Sequence, residues 1–255
     1  MNYTLPSKLK LFAIILMVLG AVGIGAGFLS APGSTAEVKE MMAAHGDDHT
    51  TSSKESHDSH TDAAHGASHS AADQEKHLEH TLHQLQNRPW SALYVACFFF
   101  FMIALGALAF YAVNFAAQAG WSPVLFRVME AVTAYLVPGG IIMFVLLGLS
   151  GFHINHIFVW ADPEVVAHDA LIKGKSGWLN GTWMLIRAAI FLGGWITYRH
   201  FAVKFSRAGD LAKANDYSNF KKTFRISAGF LVFFLYTESM MSWDWIMSFD
   251  PHWFS

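Results

Sequence analysis

The sequence has 255 residues, of which 53% are hydrophobic and only 14% are charged. Soluble globular proteins usually carry about 25% charged residues, so this composition indicates a membrane protein rather than a large soluble domain. The formal net charge of -2 gives no argument for binding nucleic acid. The single cysteine, Cys97, excludes an internal disulfide and, within this chain, a Cys-ligated iron–sulfur cluster, a four-Cys zinc site or a CxxCH haem attachment.

Five apolar stretches are each long enough to cross a membrane as a helix, which takes about 20 residues. Backbone groups find no water to bond within lipid, so these stretches must be helical. They cover residues 9–29, 91–113, 124–151, 181–203 and 226–247. The sequence therefore predicts an all-α polytopic membrane protein with five transmembrane helices.

The first stretch has two interpretations. Lys8 and Lys10 precede it and Ser30-Ala31 follows it, as in a signal peptide with its cleavage site. Its apolar run, however, is about 19 residues long, whereas that of a signal peptide is usually about 7 to 15. We therefore expect an uncleaved first span.

The residues between spans one and two form a low-complexity, histidine-rich linker. Nine of the 14 histidines lie in residues 45–83, among many Ser, Ala, Asp and Thr residues. Such a composition cannot bury enough apolar surface to fold alone. His77, His80 and His83 follow a helical spacing, which fits either weak metal binding or a solvated helix that extends span two. The predicted organisation is a first span (1–30), this linker (31–88) and a membrane bundle (89–255).

The basic residues predict the orientation, because cytoplasmic loops carry an excess of Lys and Arg. Lys8 and Lys10 place the N-terminus in the cytoplasm. The loop between spans four and five has two acids, Asp210 and Asp216, against seven basic residues: Arg199, Lys204, Arg207, Lys213, Lys221, Lys222 and Arg225. Five alternating spans satisfy both constraints and place the linker on the periplasmic side of the bacterial inner membrane.

Ionisable residues within spans are candidate functional sites, because charges are costly in lipid. Arg187 lies roughly 9 Å inside span four and Glu238 roughly 13 Å inside span five, counted from the outer ends at 1.5 Å per residue. These similar depths predict an ion pair. It would serve either proton transfer or quinone binding, or else fix the register of the two helices.

Further polar residues are predicted near the outer face. Asp244 lies six residues after Glu238, so the two carboxylates leave the helix in different directions. Asp250 and His252 follow in DPHW, and His153 ends span three. A carboxylate and a histidine together can accept the protons that a quinol loses on oxidation. The alternatives are a capped turn for Asp250 and a hydrated interfacial histidine for His153.

The inner side and the middle of span three carry two further features. Glu130 follows Arg127 at i, i+3, which indicates a surface ion pair or, alternatively, an uptake point for cytoplasmic protons. Pro138 within the span predicts a kink, because proline removes a backbone hydrogen bond. His153 and His200 lie at opposite ends of their spans and cannot share one haem iron. A cytochrome b-like subunit is therefore disfavoured.

Three long strings resemble one family: FFFFMIALGALAFYAVNFAAQAGWSPVLFRVMEAV, GFHINHIFVWADPEVVAHDALIKGKSGWLN and SWDWIMSFDPHWFS. They resemble the second quinone-binding-type membrane subunit of bacterial alternative complex III, a quinol:cytochrome c or quinol:oxidase oxidoreductase. This family belongs with the polysulfide-reductase and nitrite-reductase membrane anchors. The resemblance covers about residues 91–255, and span one fits it too.

The resemblance implies a complete subunit of about ten helices, of which this chain would supply five, with spans two to five as a four-helix bundle. It implies menaquinol as the substrate and neither haem nor an iron–sulfur cluster in this chain. The implied partners are a sister quinone-binding membrane subunit, an iron–sulfur subunit, haem c subunits, a terminal oxidase and membrane lipids. Quinol oxidation, proton translocation and a purely structural, lipid-binding role all remain open at this point.

Overall fold

The computed structural model of the chain describes residues 6–45, 71–152, 154–213 and 215–252. Their regular structure is entirely helical, and no residue in these ranges lies in a β-strand. The prediction of an all-α fold is therefore confirmed. The α-helices are α1 (Ser7–Leu29), α2 (Thr35–His45), α3 (Ala71–Ala116), α4 (Phe126–Val132), α5 (Leu136–Gly151), α6 (Pro163–His168), α7 (Ala170–Lys175), α8 (Gly181–Asp210) and α9 (Ser218–Trp245).

Among the residues that the structure describes, three helical segments are long and apolar enough to cross a membrane: Ser7–Leu29, Thr81–Ala116 and Ser122–Gly151. In α1 none of the side chains is buried, although the helix is almost wholly apolar. Lipid accepts such a surface, whereas water does not. These segments indicate a membrane protein. Helices α8 and α9 have 30 and 28 residues, which is long enough to span, but they contain more polar and charged residues and are not among the three.

The chain divides into two compact units, residues 1–92 and 93–255, and α3 continues from the first into the second. In the first unit, the Phe28 and Trp90 rings meet edge to face at 4.8 Å. Gln86 donates a hydrogen bond of 3.1 Å to the Pro32 carbonyl. The histidine-rich residues 46–70 lie outside the described residues. The predicted continuation of span two toward the linker is present, because α3 begins at Ala71.

The core of the second unit is built by aromatic residues of α3, α8 and α9. The Phe101 ring lies 6.2 Å from that of Trp195 and 6.0 Å from that of Trp245. The Tyr94 hydroxyl donates a 2.9 Å hydrogen bond to the Trp245 carbonyl. All four side chains are buried. Helix α5 joins this core at Gly140, where a Cβ atom would lie only 3.1 Å from Leu192 of α8. The small residue thus lets the two helices approach closely.

The predicted interruption of the third span is present and has a local cause. A 3₁₀ turn at Thr133–Tyr135 separates α4 from α5, and Pro138 is the third residue of α5. The proline ring clashes with the carbonyl four residues earlier, that of Ala134, and cannot donate to it. The chain therefore tightens just before the proline and resumes as an α-helix. This break positions α4 and its charged residues at one end of the unit.

Candidate functional site

A bidentate ion pair joins the first turns of α8 to the last turn of α9. Arg187 Nε donates to Asp244 Oδ2 at 2.6 Å, and Arg187 Nη2 donates to Asp244 Oδ1 at 2.9 Å. The Asp244 side chain is fully buried, and only 13% of the Arg187 side chain is exposed. Because the two helices run antiparallel, the beginning of one meets the end of the other. This geometry matches the planar guanidinium to both carboxylate oxygens.

Trp178, in the loop between α7 and α8, completes the surroundings of the pair. Its indole N–H donates to Asp244 Oδ1 at 2.9 Å, and its carbonyl accepts from Arg187 Nη2 at 3.1 Å. The Arg187 guanidinium carbon lies 4.3 Å from the centre of the Trp178 ring. The carboxylate thus receives three N–H donors while the cation also contacts an aromatic face. Such full hydrogen bonding offsets the cost of burying two charges.

The predicted pairing of Arg187 with Glu238 is wrong, because the partner of Arg187 is Asp244. Glu238 is half-buried and forms no hydrogen bond or ion pair with any residue in the described ranges. The prediction compared depths along the two helices and neglected direction around the helix axis. Asp244 lies about 240° further around α9 than Glu238, and it is this side of α9 that faces Arg187.

A cavity of about 370 Å³ lies beside the ion pair. Its walls combine aromatic, aliphatic and polar side chains, among them Lys175, Trp178, Trp243, Met247, Ser248 and Asp250. The rings of Trp178 and Trp243 meet at 6.3 Å. Lys175 Nζ donates to the Pro251 carbonyl at 2.5 Å and so joins α7 to the turn after α9. The volume falls within the range of small-molecule sites, roughly 300–1,000 Å³.

The turn after α9 brings His252 against Asp169, at the start of α7. His252 Nε2 lies 2.6 Å from Asp169 Oδ2, and His252 Nδ1 lies 3.9 Å from Asp250 Oδ1. Asp250 also accepts a hydrogen bond from the His252 backbone N–H at 3.1 Å, as expected of a turn. More than half of the His252 side chain is exposed. The histidine therefore lies between two carboxylates at an accessible position near the cavity.

Asp169 also caps α7. Its Oδ1 accepts the backbone N–H groups of Leu171 and Ile172, at 2.8 and 3.2 Å. These hydrogen bonds favour the charged carboxylate. The pKa of Asp169 consequently lies below its ordinary value, chiefly through Ile172, with further lowering by His252 and Leu171, and burial opposes the shift.

A second charged cluster lies at the other end of α8. Glu130 is buried and accepts from Arg127 at 2.5 Å and from the Tyr111 hydroxyl at 3.3 Å. Arg127 also pairs with Asp210, the last residue of α8. The predicted i, i+3 pair of Arg127 and Glu130 is thus present. Asp210 follows Arg187 by 23 residues, which corresponds to roughly 34 Å of helix. The two clusters are therefore about a bilayer core apart, since that core is about 30 Å thick.

Three of the histidines singled out in the sequence are not described in full by the structure. His153 lies outside the described residues, as do the side chains of His77 and His80. Within the part of the chain that the structure describes, no group of three or more His, Cys, Asp or Glu residues has the arrangement of a metal site. Trp178 and Asp169 were not among the predicted site residues. Asp169 could have been found as a helix N-cap, since Asp before an apolar helical segment is a common start signal.

No family model matches this chain, and no curated protein is significantly similar to it. The class that the fold defines is that of an all-helical membrane protein. The site adds a buried ion pair, an aromatic-walled cavity and a histidine held between carboxylates.

Proposed function

We propose that this chain is an integral membrane subunit of a respiratory quinol:electron-acceptor oxidoreductase of the alternative complex III type. In this proposal α1, the apolar part of α3, α4 with α5, α8 and α9 are five membrane spans of a larger, roughly ten-helix subunit. The N-terminus is cytoplasmic in the bacterial inner membrane, and the Arg187–Asp244 end faces the periplasm. The three long sequence strings and the roughly 34 Å between the two charged clusters support this arrangement.

The observation that carries the proposal is the aromatic cavity beside the Arg187–Asp244 pair. A quinol head group is a flat ring with two hydroxyl groups, and the indoles of Trp178 and Trp243 offer apolar faces for it. Each hydroxyl loses a proton as its electron leaves. Asp250 lines the cavity and His252 follows one residue beyond Pro251, so these groups can accept the protons and release them to the periplasm.

The two carboxylates of α9 receive different roles in this proposal. Both oxygens of Asp244 accept N–H donors, which hold the carboxylate in place so that it positions Arg187 and Trp178. Glu238 is half-buried without such donors among the described residues, and we assign it a role in proton transfer within the subunit. Glu130, buried at the opposite end, would take up protons from the cytoplasm if the subunit also translocates them.

The proposed substrate is menaquinol, and the electrons pass to partner subunits. These partners are an iron–sulfur subunit, haem c subunits and a sister quinone-binding membrane subunit, with a terminal oxidase as a further acceptor. The second candidate function is a structural, lipid-binding scaffold for the same complex. The fully hydrogen-bonded Arg187–Asp244 pair favours this second function, because such a pair fixes helix register without any ligand.

The proposal is tested on the complex purified through an affinity tag on this chain. Menaquinol-analogue oxidation should co-purify with the chain, and H252N should lower turnover at least tenfold while the complex still assembles, since a lost proton acceptor typically costs 10² to 10⁴ in rate. K213Q, in the loop after α8, is the matched control and should retain full turnover. A complex that oxidises no quinol, or whose turnover is unchanged by H252N and D250N together, would support the scaffold function instead.

A further inference from the structure

An apolar groove runs between α8 and α9, away from the site described above. It has a volume of about 470 Å³ and is lined by Gly193, Thr197 and Phe201 of α8 and by Ile226, Gly229 and Phe233 of α9. Gly193 and Gly229 have no atom within 4 Å of the position that a Cβ would take. The groove is therefore open along its length because two small residues leave room between the helices.

Aromatic and basic residues continue this α8–α9 groove toward the Asp210 end of α8. The ring of Phe201 lies 6.1 Å from that of Phe205, one turn further along α8. Lys222 of α9 reaches across the helices and places its Nζ 5.7 Å from the centre of the Phe205 ring. The apolar surface that continues the groove therefore ends at a ring with a cation above it. Such an arrangement suits an amphiphile whose tail lies in the groove and whose charged head lies at Lys222.

Two further cations lie near the same end. Lys204 is three residues beyond Phe201, and Arg225 directly precedes Ile226, which lines the groove. Both side chains are exposed, and neither they nor Lys222 form an ion pair with a described residue. The acid beside Lys222 is Asp216, whose carboxylate accepts the Ser218 N–H at 2.9 Å. The charge of Asp216 interacts with that of Lys222, so three cations face one acid and leave a net positive charge at the end of the α8–α9 groove.

We infer that the α8–α9 groove binds an anionic phospholipid, with an acyl chain between the glycines and the phosphate near Lys204, Lys222 and Arg225. An acyl chain matches the apolar lining, and a phosphate matches the three cations. From Gly193 to Phe201 the groove spans roughly 12 Å of helix, so it extends from the head-group level into the hydrocarbon. The inference rests on the proposed membrane spans for α8 and α9 and is independent of quinol oxidation.

The test uses the full chain, purified in a mild detergent, stripped of lipid and then titrated with one of two lipids that differ only in head group. Native mass spectrometry counts the chains that carry dioleoyl phosphatidylglycerol or dioleoyl phosphatidylcholine. Wild type should bind the anionic lipid at least tenfold more tightly. The triple variant K204Q/K222Q/R225Q should lose that preference, whereas K8Q/K10Q/K213Q, with the same change of charge, should keep it.

A second pair of variants tests the groove itself. G193L and G229L fill open space, so the helices should still pack, and each should weaken binding of both lipids at least fivefold. The inference is overturned if the triple variant keeps the preference, if the control variant loses it, or if both leucine variants bind like wild type. Labelling of a cysteine replacing Ser218 reports separately on which side of the membrane the connection between α8 and α9 lies, and quinol turnover is not part of either readout.

Discussion

Arg187 and Asp244 bind each other through two parallel N–H to oxygen contacts, 57 residues apart in sequence and at adjoining ends of α8 and α9. The pair lies beside the aromatic cavity and shares Trp178 with it. It therefore fixes the geometry of two helix ends and one cavity wall together. Removing only one side chain of such a buried pair is costly, because the remaining charge then has no partner.

Removing one partner should consequently destabilise the protein far more than removing both. We expect R187L and D244L each to cost about 3 to 5 kcal/mol, and the double variant R187L/D244L to cost much less. Thermal unfolding of the detergent-purified chain measures the difference. E238Q is the matched control on α9 and should change stability by less than about 0.5 kcal/mol, as for a site away from such networks. If the single and double variants lose equal stability, the two side chains do not stabilise each other.

Much of the fold follows from the sequence because it depends on one-dimensional patterns. The apolar runs predicted helices at every place where the structure has a long one, and Pro138 predicted the break that separates α4 from α5. The i, i+3 spacing of Arg127 and Glu130 also predicted their contact. Each of these depends on neighbours along the chain, so no knowledge of tertiary packing was needed.

The site could be predicted only in part, because its contacts join distant segments. Depth along a helix follows from counting residues. The side of α9 that faces α8 does not follow from such a count. The sequence therefore predicted Glu238 instead of Asp244 as the partner of Arg187. The contact between His252 and Asp169 depends on how the turn after α9 folds back onto α7. Trp178 is a loop residue, and nothing in its neighbours indicates that its indole N–H meets a carboxylate 66 residues away.

The orientation of the spans predicts which positions an impermeant thiol reagent reaches in intact cells. On a C97S background, a cysteine replacing Ser68 in the histidine-rich linker should be labelled, because this linker is proposed to be periplasmic. A cysteine replacing Ser218, the exposed first residue of α9, should be labelled only after the membrane is permeabilised. The reverse pattern would place the Arg187–Asp244 end in the cytoplasm.

Because Asp169 caps α7, the stability of this helix should depend on pH in the acid range. Because the pKa of Asp169 is lower in the folded protein than the unfolded value of about 3.9, its charge stabilises α7 fully above that value. This contribution is lost as the pH falls through the folded pKa. Amide-exchange protection of Leu171 and Ile172, corrected for intrinsic rates, should therefore fall between pH 5 and pH 2.

The variants D169N and D169A separate the charge from the cap. Asparagine keeps the side-chain oxygen that caps the helix but lacks the charge that strengthens its hydrogen bonds. D169N should therefore protect the two amides somewhat less at pH 6 and show a flatter acid dependence than wild type. D169A should lose protection throughout the range, because it removes the acceptor as well. A D169N profile as steep as that of wild type would show that another group causes the acid sensitivity.

Alanine substitution should have different effects on stability at two adjacent glycines of α8. A Cβ at Gly194 would overlap Cε1 and Cζ of the Phe233 ring, whereas a Cβ at Gly193 would meet nothing within 4 Å. G194A must therefore displace the Phe233 ring or separate α8 from α9. Overpacking of this kind typically costs about 1 to 3 kcal/mol, and because Phe233 is half-buried rather than enclosed, we expect a loss near the lower end of that range. G193A should be neutral or slightly stabilising, since alanine favours helix.

The double variant G194A/F233L tests whether the Phe233 ring causes the loss. Leucine removes the two ring atoms that the new methyl group would meet, so the double variant should unfold at a higher temperature than expected from the sum of its single changes. The coupling should amount to about 0.5 to 1 kcal/mol, as for residues in direct contact. If G194A and G193A have the same thermal midpoint, α8 and α9 are further apart than this overlap requires, and the α8–α9 groove would be correspondingly wider.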